Sequence, residues 1–386
     1  MQVTKLKFLG VFLLLLFTIS CNSSIKLWGK KTAHEMYADE IEDLPEGKQW
    51  IGVSKKTLET PLNIHLPYSH IGYFPASQPR ALTLEFTAQQ GEKIIIEIAK
   101  KNETGSVPYV DLFKKEGTDI SHIESADTAL TQLNFDAEET ATYLLRLQPE
   151  LYRTDSYNLS ISVAPSLNFP VGGTKAKTGS FWGDDRDAGK RSHEGIDIFA
   201  PKLTPAVAAA DGYITGVDEG GLGGKTVWMK VAEKNIHLYY AHLDKQLVED
   251  GQRIKKGDTL GLVGNTGNAK YTPSHLHFGI YTYNGPIDPW PFVNKTKRSA
   301  PPVTAKDLTN NLQWKNTAVS KNKAINDELL IPLAVTDTDY IAALPEGRIV
   351  SAPFKSLSQV KSNNQPLLVK DQTTIVTTDH GTDTNN

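Results

Sequence analysis

Two short segments of the chain carry side chains of the kind that bind a metal ion. His193 and Asp197 stand four positions apart, and His275-Leu276-His277 follows later in the sequence. Histidine and carboxylate suit a borderline-soft zinc ion, and a catalytic zinc usually has three protein ligands and a fourth position left to water. The two segments could supply such a site, with one histidine left over.

The residues around the first segment predict extended chain. Gly195 and the run Ile196-Asp197-Ile198-Phe199 favour a strand over a helix. The segment is therefore not the helical His-Glu-x-x-His site, whose second histidine is missing. Glu194, beside a ligand on an extended chain, points to the opposite face and is expected to be a solvated or hydrogen-bonded carboxylate.

The other histidines also lie on predicted strands. In the alternating run from His275 to Tyr281, His275 and His277 point to the same face. One imidazole can therefore bind metal while its neighbour faces a substrate. The apolar, aromatic run 235–243 is a further strand candidate and contains His242.

Six motifs between residues 171 and 293 together resemble the lysostaphin/LytM-type zinc metallopeptidases, which cut peptide bonds in bacterial peptidoglycan. In family order they are Gly179-Ser-Phe-Trp-Gly183, His193-Glu-Gly-Ile-Asp197, Pro205-Ala-Val-Ala-Ala-Ala-Asp-Gly212, Tyr240-Ala-His-Leu243, Val263-Gly-Asn-Thr-Gly267 and His275-Leu-His-Phe278. The resemblance implies that one zinc ion per chain is bound by His193, Asp197 and His277. It also implies that His242 and His275 are the catalytic histidines.

Amide hydrolysis suits this set of residues. A protein-bound zinc can lower the pKa of its water from 15.7 to about 7 and can polarise a peptide carbonyl. Histidine suits the proton transfers because its unperturbed pKa is near 6.5. His275 and His242 are the available candidates.

The glycine-rich segments between the motifs predict turns. Residues 219–225 and 264–267 lack the phosphate-binding loop pattern and favour hairpin turns. In the resembled family such loops wall a groove over the zinc. Tyr239, Tyr240, Tyr271 and Trp182 could line that groove, although aromatic residues in strands are more often packed.

The first 21 residues predict export. Lys5 and Lys7 precede a short apolar run, and Cys21, the chain's single cysteine, follows Ser20. This order resembles a lipoprotein signal peptide, residues 1–21, whose cysteine is lipidated. Thr18 departs from the usual leucine, which leaves ordinary secretion or an uncleaved anchor as alternatives. We expect a protein of the cell envelope, lipid-anchored at Cys21 on the outer face of a bacterial membrane or in the periplasm.

Composition limits the partners and the number of domains. The net charge of −3 gives no basic footprint for nucleic acid. A single cysteine allows no disulfide within one chain. The length of 386 residues predicts two or three domains.

The predicted fold is mainly β. An antiparallel LytM-type domain at 171–295 follows a β-sandwich accessory module at 61–165, in which regular short strands alternate with polar turns. His65, His70 and His122 in that module lack partners at ligand spacing, so we expect them to be structural or exposed. The remaining ranges are a polar lead at 22–60 with a possible short helix over 33–42, a linker at 296–325, a small β-rich module at 326–370 and a disordered tail at 371–386.

The sequence therefore predicts an exported zinc endopeptidase acting on peptidoglycan stem peptides or cross-links. Two alternatives remain. Relatives of this fold can be non-catalytic regulators that activate wall amidases, and these typically lack the zinc ligands that this chain retains. The substrate could also be a glycine-rich protein. Other cell-wall proteins could be partners, and the β-rich C-terminal region could bind the wall.

Overall fold

The computed structural model describes residues 31–101, 108–126, 132–186, 188–304, 313–316 and 329–360. Cys21, the remainder of the predicted signal peptide and the predicted tail lie outside these ranges. The helices are α1 Ala33–Ile41, α2 Pro45–Glu59 and α3 Trp290–Val293. Within the described part of the chain, no helix is long and apolar enough to span a membrane.

Strands make up most of the described chain, and nearly all neighbouring strands are antiparallel. They are β1 Leu62–Asn63, β2 Tyr68–Phe74, β3 Leu82–Ala88, β4 Glu92–Lys100, β5 Tyr109–Glu116, β6 Asp119–Ala126, β7 Gln132–Asp136, β8 Ala141–Gln148, β9 Asp155–Pro165, β10 Lys177–Ser180, β11 Asp185–Arg186, β12 Arg191–Ser192, β13 Ile196–Phe199, β14 Pro205–Val207, β15 Gly212–Gly220, β16 Gly224–Val231, β17 His237–Gln246, β18 Arg253–Ile254, β19 Thr259–Val263, β20 His275–Thr282, β21 Gly285–Ile287, β22 Gln313–Asn316, β23 Leu329–Val335, β24 Asp339–Ala343, β25 Ile349–Pro353 and β26 Leu357–Val360. The predicted mainly β class is confirmed.

Two sheets form the predicted β-sandwich. One has the order β1-β3-β8-β5-β6, and the other includes β2-β9-β4-β7. Alternating apolar residues of β3 (Leu82, Leu84) and β4 (Ile94, Ile96) are buried in one shared core. Strand alternation places these residues on the inner faces.

The C-terminal strands belong to the sandwich and do not form a separate module. β23 pairs with β2, with Ile71 opposite Val335, and continues the sheet through β24 and β25. Leu333 and Ile341 are part of the sandwich core. The predicted strands and the turn at 345–347 are present, and the described part of the predicted 326–370 module, residues 329–360, extends a sheet of the sandwich. An alternation pattern predicts a strand and does not say which sheet edge that strand joins.

Two helices occupy most of the region predicted as a polar lead. The predicted short helix is present as α1, which begins with a capping box formed by Thr32 and Glu35. The second helix, α2, was not predicted. Its Trp50 is fully buried, and Trp50 Nε1 donates a hydrogen bond of 2.7 Å to the Pro149 carbonyl. The helices therefore cover the sandwich.

The histidines of the sandwich are structural or exposed, as expected. His70 is buried and its two ring nitrogens contact the hydroxyls of Tyr68 and Tyr157 at 3.0 and 3.3 Å. Burial lowers the pKa of His70 to about 3. His65 and His122 are exposed.

The central domain, residues 167–293, is built on one ten-stranded antiparallel sheet with its own core, and β11 and β12 form a separate two-stranded sheet. Seven strands follow the order β10-β13-β20-β17-β16-β15-β18, with β14, β19 and β21 at the sides. Its buried residues include Ile196, Leu238, Leu276 and Phe278. This organisation agrees with the antiparallel domain predicted for 171–295.

The central domain is anchored to the sandwich at one junction. Val163 and Arg298 form a β-bridge, and Arg298 Nη2 lies 2.5 Å from Glu92 Oε1. The ring of Phe292 packs directly on Gly91, leaving no room for a side chain there. The start of the predicted 296–325 linker is therefore paired with the sandwich.

Trp50→Ala should destabilise the sandwich, because it leaves a cavity under α2. Large-to-small changes of this kind cost about 3–5 kcal/mol of the free energy of unfolding. Lys55→Ala, an exposed change on the same helix, should stay within about 0.5 kcal/mol. Denaturant unfolding followed by circular dichroism measures both. Equal stabilities for the two variants would show that α2 is not docked on the sandwich.

Candidate metal centre

Three neighbouring strands bring the candidate residues of the central domain together. β20 lies between β13 and β17, and Asp197 of β13 stands opposite His277 of β20. On the other side, Ala241 of β17 stands opposite His277. His275 is two residues away on the same face, as predicted from the alternation of a strand.

The predicted metal ligands form a compact triangle. His193 Nε2 lies 3.1 Å from Asp197 Oδ1 and 3.0 Å from His277 Nδ1. His277 Nδ1 lies 3.0 Å from the same oxygen of Asp197. Of the described residues, these three form a His/Asp group whose donor atoms could hold one metal ion.

Neighbouring groups orient two of the three ligands. His193 Nδ1 lies 2.8 Å from the Phe181 carbonyl, which can only accept a hydrogen bond, so the proton is on Nδ1 and the Nε2 lone pair faces the triangle. Arg186 Nη2 donates to Asp197 Oδ2 at 2.9 Å. This contact leaves Oδ1 as the oxygen of the triangle.

The protonation states suit metal binding. Burial alone would raise the pKa of Asp197, but the hydrogen bonds and charges that His193 and His277 offer in their protonated forms outweigh burial and hold this pKa well below its usual range. Burial lowers the pKa of His277 in spite of the neighbouring carboxylate. The triangle thus offers a carboxylate and a neutral imidazole.

A β-bulge in β17 turns His242 toward the triangle. Regular alternation would put His242 on the same face as Tyr240, which is fully buried in the core. The pairing of β16 with β17 shifts register next to His242, whose φ is 62°. The left-handed conformation brings His242 to the ligand face, where its ring lies 5.0 Å from that of His275.

His242 and His275 share one protonation pattern. Nδ1 of His242 lies 3.0 Å from the Thr266 carbonyl, and Nδ1 of His275 lies 2.9 Å from the Pro273 carbonyl. Each carbonyl accepts a hydrogen bond from Nδ1–H, so each Nε2 keeps its lone pair. His275 Nε2 is 3.9 Å from Asp197 Oδ1. Burial, assisted by the charges of His275 and His277, lowers the pKa of His242 to about 4.

A cleft of about 590 Å³ opens over these residues. All five predicted site residues line it: His193, Asp197, His242, His275 and His277. Glu194 is exposed, in keeping with a solvated carboxylate, but it also lines the cleft, although it was expected to point away from the ligand face. The aromatic side chains of its wall are Phe199, Tyr239 and Tyr281.

Of the other predicted groove residues, Tyr239 lines the cleft, whereas Tyr240, Tyr271 and Trp182 are not among its lining residues. Tyr240 is fully buried and its hydroxyl accepts a hydrogen bond from the Ala209 N–H at 3.0 Å, because its position in β17 points into the core. Tyr271 is 87% exposed, and neither Tyr271 nor Trp182 lines the cleft. Tyr239 does line it, one position away from Tyr240 on the opposite face.

One of the two glycine segments is a hairpin. β15 and β16 are joined by the turn at 220–224, as predicted. The segment 264–267 leads instead into a short 3-10 helix, Gly267–Tyr271, so the predicted hairpin there is wrong. Gly267 and Gly224 lie in close backbone contact and both have positive φ, so neither tolerates a side chain.

Several groups that shape the site were not predicted. Arg186 is an ordinary surface residue by its sequence context, and the carbonyls of Phe181, Thr266 and Pro273 carry no sequence signal. Their contribution depends on loop geometry. The order of residues along the chain cannot reveal such contacts.

Comparisons with known proteins point to one family. Residues 191–289 match the sequence model described as Peptidase family M23. The chain is 33% identical over 131 residues to the L-Ala--D-Glu endopeptidase of Bacillus subtilis, covering 31% of this chain and 40% of that protein. It is 33% identical over 119 residues to the peptidoglycan DD-endopeptidase ShyC of Vibrio cholerae, covering 31% of this chain and 25% of that one.

A solved structure, the catalytic domain of the antimicrobial peptidase lysostaphin from Staphylococcus simulans, is 29% identical, with a TM-score of 0.28. The likeness covers 30% of this chain and 90% of that one. The chain thus spans less than half the length of the two curated relatives, and the family match lies in its central part. The chain contains a domain of peptidase family M23, of the LytM/lysostaphin type.

Proposed function

We propose that the protein is an exported zinc endopeptidase that hydrolyses peptide bonds in the stem peptides or cross-links of bacterial peptidoglycan. The observation that carries the proposal is the triangle of His193, Asp197 and His277 in one cleft with His242 and His275. The names of the two curated relatives, both endopeptidases, support the reaction type. One of those names includes peptidoglycan.

The donor set fits zinc. Two imidazole nitrogens and one carboxylate oxygen lie 3.0–3.1 Å apart, which is short enough for one ion with bonds of about 2.0–2.2 Å to touch all three. A zinc ion held there would supply a Lewis acid for the peptide carbonyl and an activated water. Arg186 and the Phe181 carbonyl keep the donors turned inward.

His242 and His275 would move the protons. In each, Nδ1–H donates a hydrogen bond to a backbone carbonyl, so Nε2 can take a proton from a water molecule and pass it to the leaving amine. The low pKa of His242 keeps its imidazole neutral before reaction at neutral pH. The cleft of about 590 Å³ would accept part of an extended peptide.

Removing one ligand should abolish metal binding, and removing one proton carrier should not. We expect about one zinc per wild-type chain and little in His277→Ala. His242→Asn should keep its zinc and lose activity by about 10²- to 10⁴-fold. Asparagine is chosen because it tolerates the left-handed conformation of His242.

Metal analysis by mass spectrometry, together with an assay of peptide release, measures both effects. His237→Ala is the matched control, since this histidine lies at the start of β17 and does not line the cleft. If His277→Ala retained zinc, or His242→Asn retained full activity, the assigned roles would be wrong.

Purified protein should release peptides or split cross-links when incubated with peptidoglycan. Mass spectrometry of the soluble fragments would identify the bond cut. The same digest with a glycine-rich protein tests the other substrate class. A metal-loaded wild type that cleaves neither substrate, but stimulates a wall amidase, would favour a regulatory function over an enzymatic one.

We also propose that Cys21 carries a lipid that holds the protein to a membrane of the cell envelope. The support is the order of charged residues, short apolar run and cysteine in the first 21 residues. Lipid chains bind membranes through their buried methylene groups.

Cys21→Ser should abolish labelling by a radioactive fatty acid and move the protein from the membrane fraction to the soluble fraction. Ser20→Ala, beside it, should change neither result. A wild-type chain that takes up no label would indicate ordinary secretion or an uncleaved anchor.

A further inference from the structure

Two buried arginines in the sandwich have very different surroundings. Arg146 and Arg80 are each 8% exposed. Arg146 Nη2 lies 2.7 Å from Asp111 Oδ2, and its Nη1 donates to Ser54 Oγ at 2.7 Å. A buried charge is ordinarily compensated in this way, because removing it from water without a partner is costly.

Arg80 has no such compensation among the described residues. Its Nε is buried without a hydrogen-bond partner, and so is the hydroxyl of Thr57. Thr57 is itself 6% exposed. A charged group and a hydroxyl are therefore both held away from bulk water with unused hydrogen-bonding capacity.

Both residues line one cavity of about 360 Å³. Its walls come from α2, from the segment 78–81 before β3, and from the turn at 345–347 between β24 and β25. This volume lies within the range of about 300–1,000 Å³ typical of small-molecule sites. None of its lining residues belongs to the metal-centre cleft.

The charges around the cavity favour a ligand with one negative charge. Its charged side chains are Arg80, Lys56 and Glu346, which leave one net positive charge. Glu346 is not the counter-ion of Arg80, because the Oε1 atom of Glu346 lies 3.4 Å from Arg348 Nε. Lys56 Nζ already donates to the Glu346 carbonyl at 2.7 Å. Lys56 is exposed to solvent, so the buried positive charge at the cavity is that of Arg80.

We propose that this cavity binds a small organic carboxylate, as a free acid or as the end of a peptide, with Arg80 as its counter-ion. The guanidinium offers paired N–H donors that match the two oxygens of a carboxylate. Thr57 supplies a further hydroxyl donor. Val53, Ala81 and Ile349 provide apolar surface for a short side chain. The proposal does not depend on the proposed peptidase activity.

Isothermal titration of the full chain with N-acetylalanine and with its neutral amide tests the proposal. The acid should bind and the amide should bind at least about tenfold more weakly, because only the acid forms charge-assisted hydrogen bonds. Arg80→Gln should weaken binding of the acid by about 10- to 100-fold. Arg153→Gln, which changes an exposed arginine, should leave binding unchanged.

Two further measurements are needed. One distinguishes a free acid from a peptide end as the ligand, and the other tests whether Arg80 has only a structural role. Tighter binding of N-acetyl-trialanine than of N-acetylalanine would identify a peptide end, and the reverse would identify a free acid. Without ligand, Arg80→Gln should unfold at the same temperature as wild type or higher, since it removes an unpaired buried charge. Its peptidase activity should equal that of wild type.

Equal binding of acid and amide would overturn the proposal. So would stronger binding of inorganic phosphate than of the carboxylate. A lowered unfolding temperature of Arg80→Gln together with no carboxylate binding by wild type would show that Arg80 has only a structural role.

Discussion

The pairing of β13 with β20 is the constraint on which the metal centre depends. It places Asp197 opposite His277, and a slip of one residue would turn one of them into the core. The apolar residues between the polar ones hold this register: Leu276 and Phe278 are fully buried on the other face. Burial of one face of β20 therefore determines which side chains stand side by side on the other face.

The remaining polar groups are arranged around this pair by departures from regular structure. His242 faces the cleft because β17 contains a bulge with a left-handed residue, a conformation that costs about 1–3 kcal/mol at a non-glycine position. Two hydrogen bonds offset that cost: His242 N–H donates to the Gly223 carbonyl at 2.8 Å, and Nδ1–H donates to the Thr266 carbonyl at 3.0 Å. The tight contact between Gly224 and Gly267 brings those two loops together. The strained backbone of His242 is thus stabilised by two loops whose glycines allow them to pack closely together.

Sequence reasoning named the five residues that the structure brings together in one cleft, because motif order and, for His275 and His277, strand alternation are properties of the chain itself. It gave Tyr240 as a possible groove residue, because the bulge that separates the face of His242 from that of Tyr240 cannot be read from periodicity. It also missed Arg186, which reaches Asp197 only through the folding of the loop before His193. Strands in the sandwich were predicted well, whereas α2 and the sheet partner of β23 were not. Both depend on contacts between residues far apart in sequence, such as Trp50 with Pro149 and Ile71 with Val335.

The sandwich is built from strands on both sides of the central domain in the sequence. β2, β4, β7 and β9 precede that domain, and β23 to β25 follow it. The bridge between Val163 and Arg298 pairs the chain just before the domain with the chain just after it. The central domain is thus inserted in the sequence between β9 and β23, two strands of one sheet of the sandwich. During synthesis the host cannot complete its second sheet until the whole insertion has emerged. Contacts that span so much of the sequence slow folding, and until they form β2 is an open sheet edge.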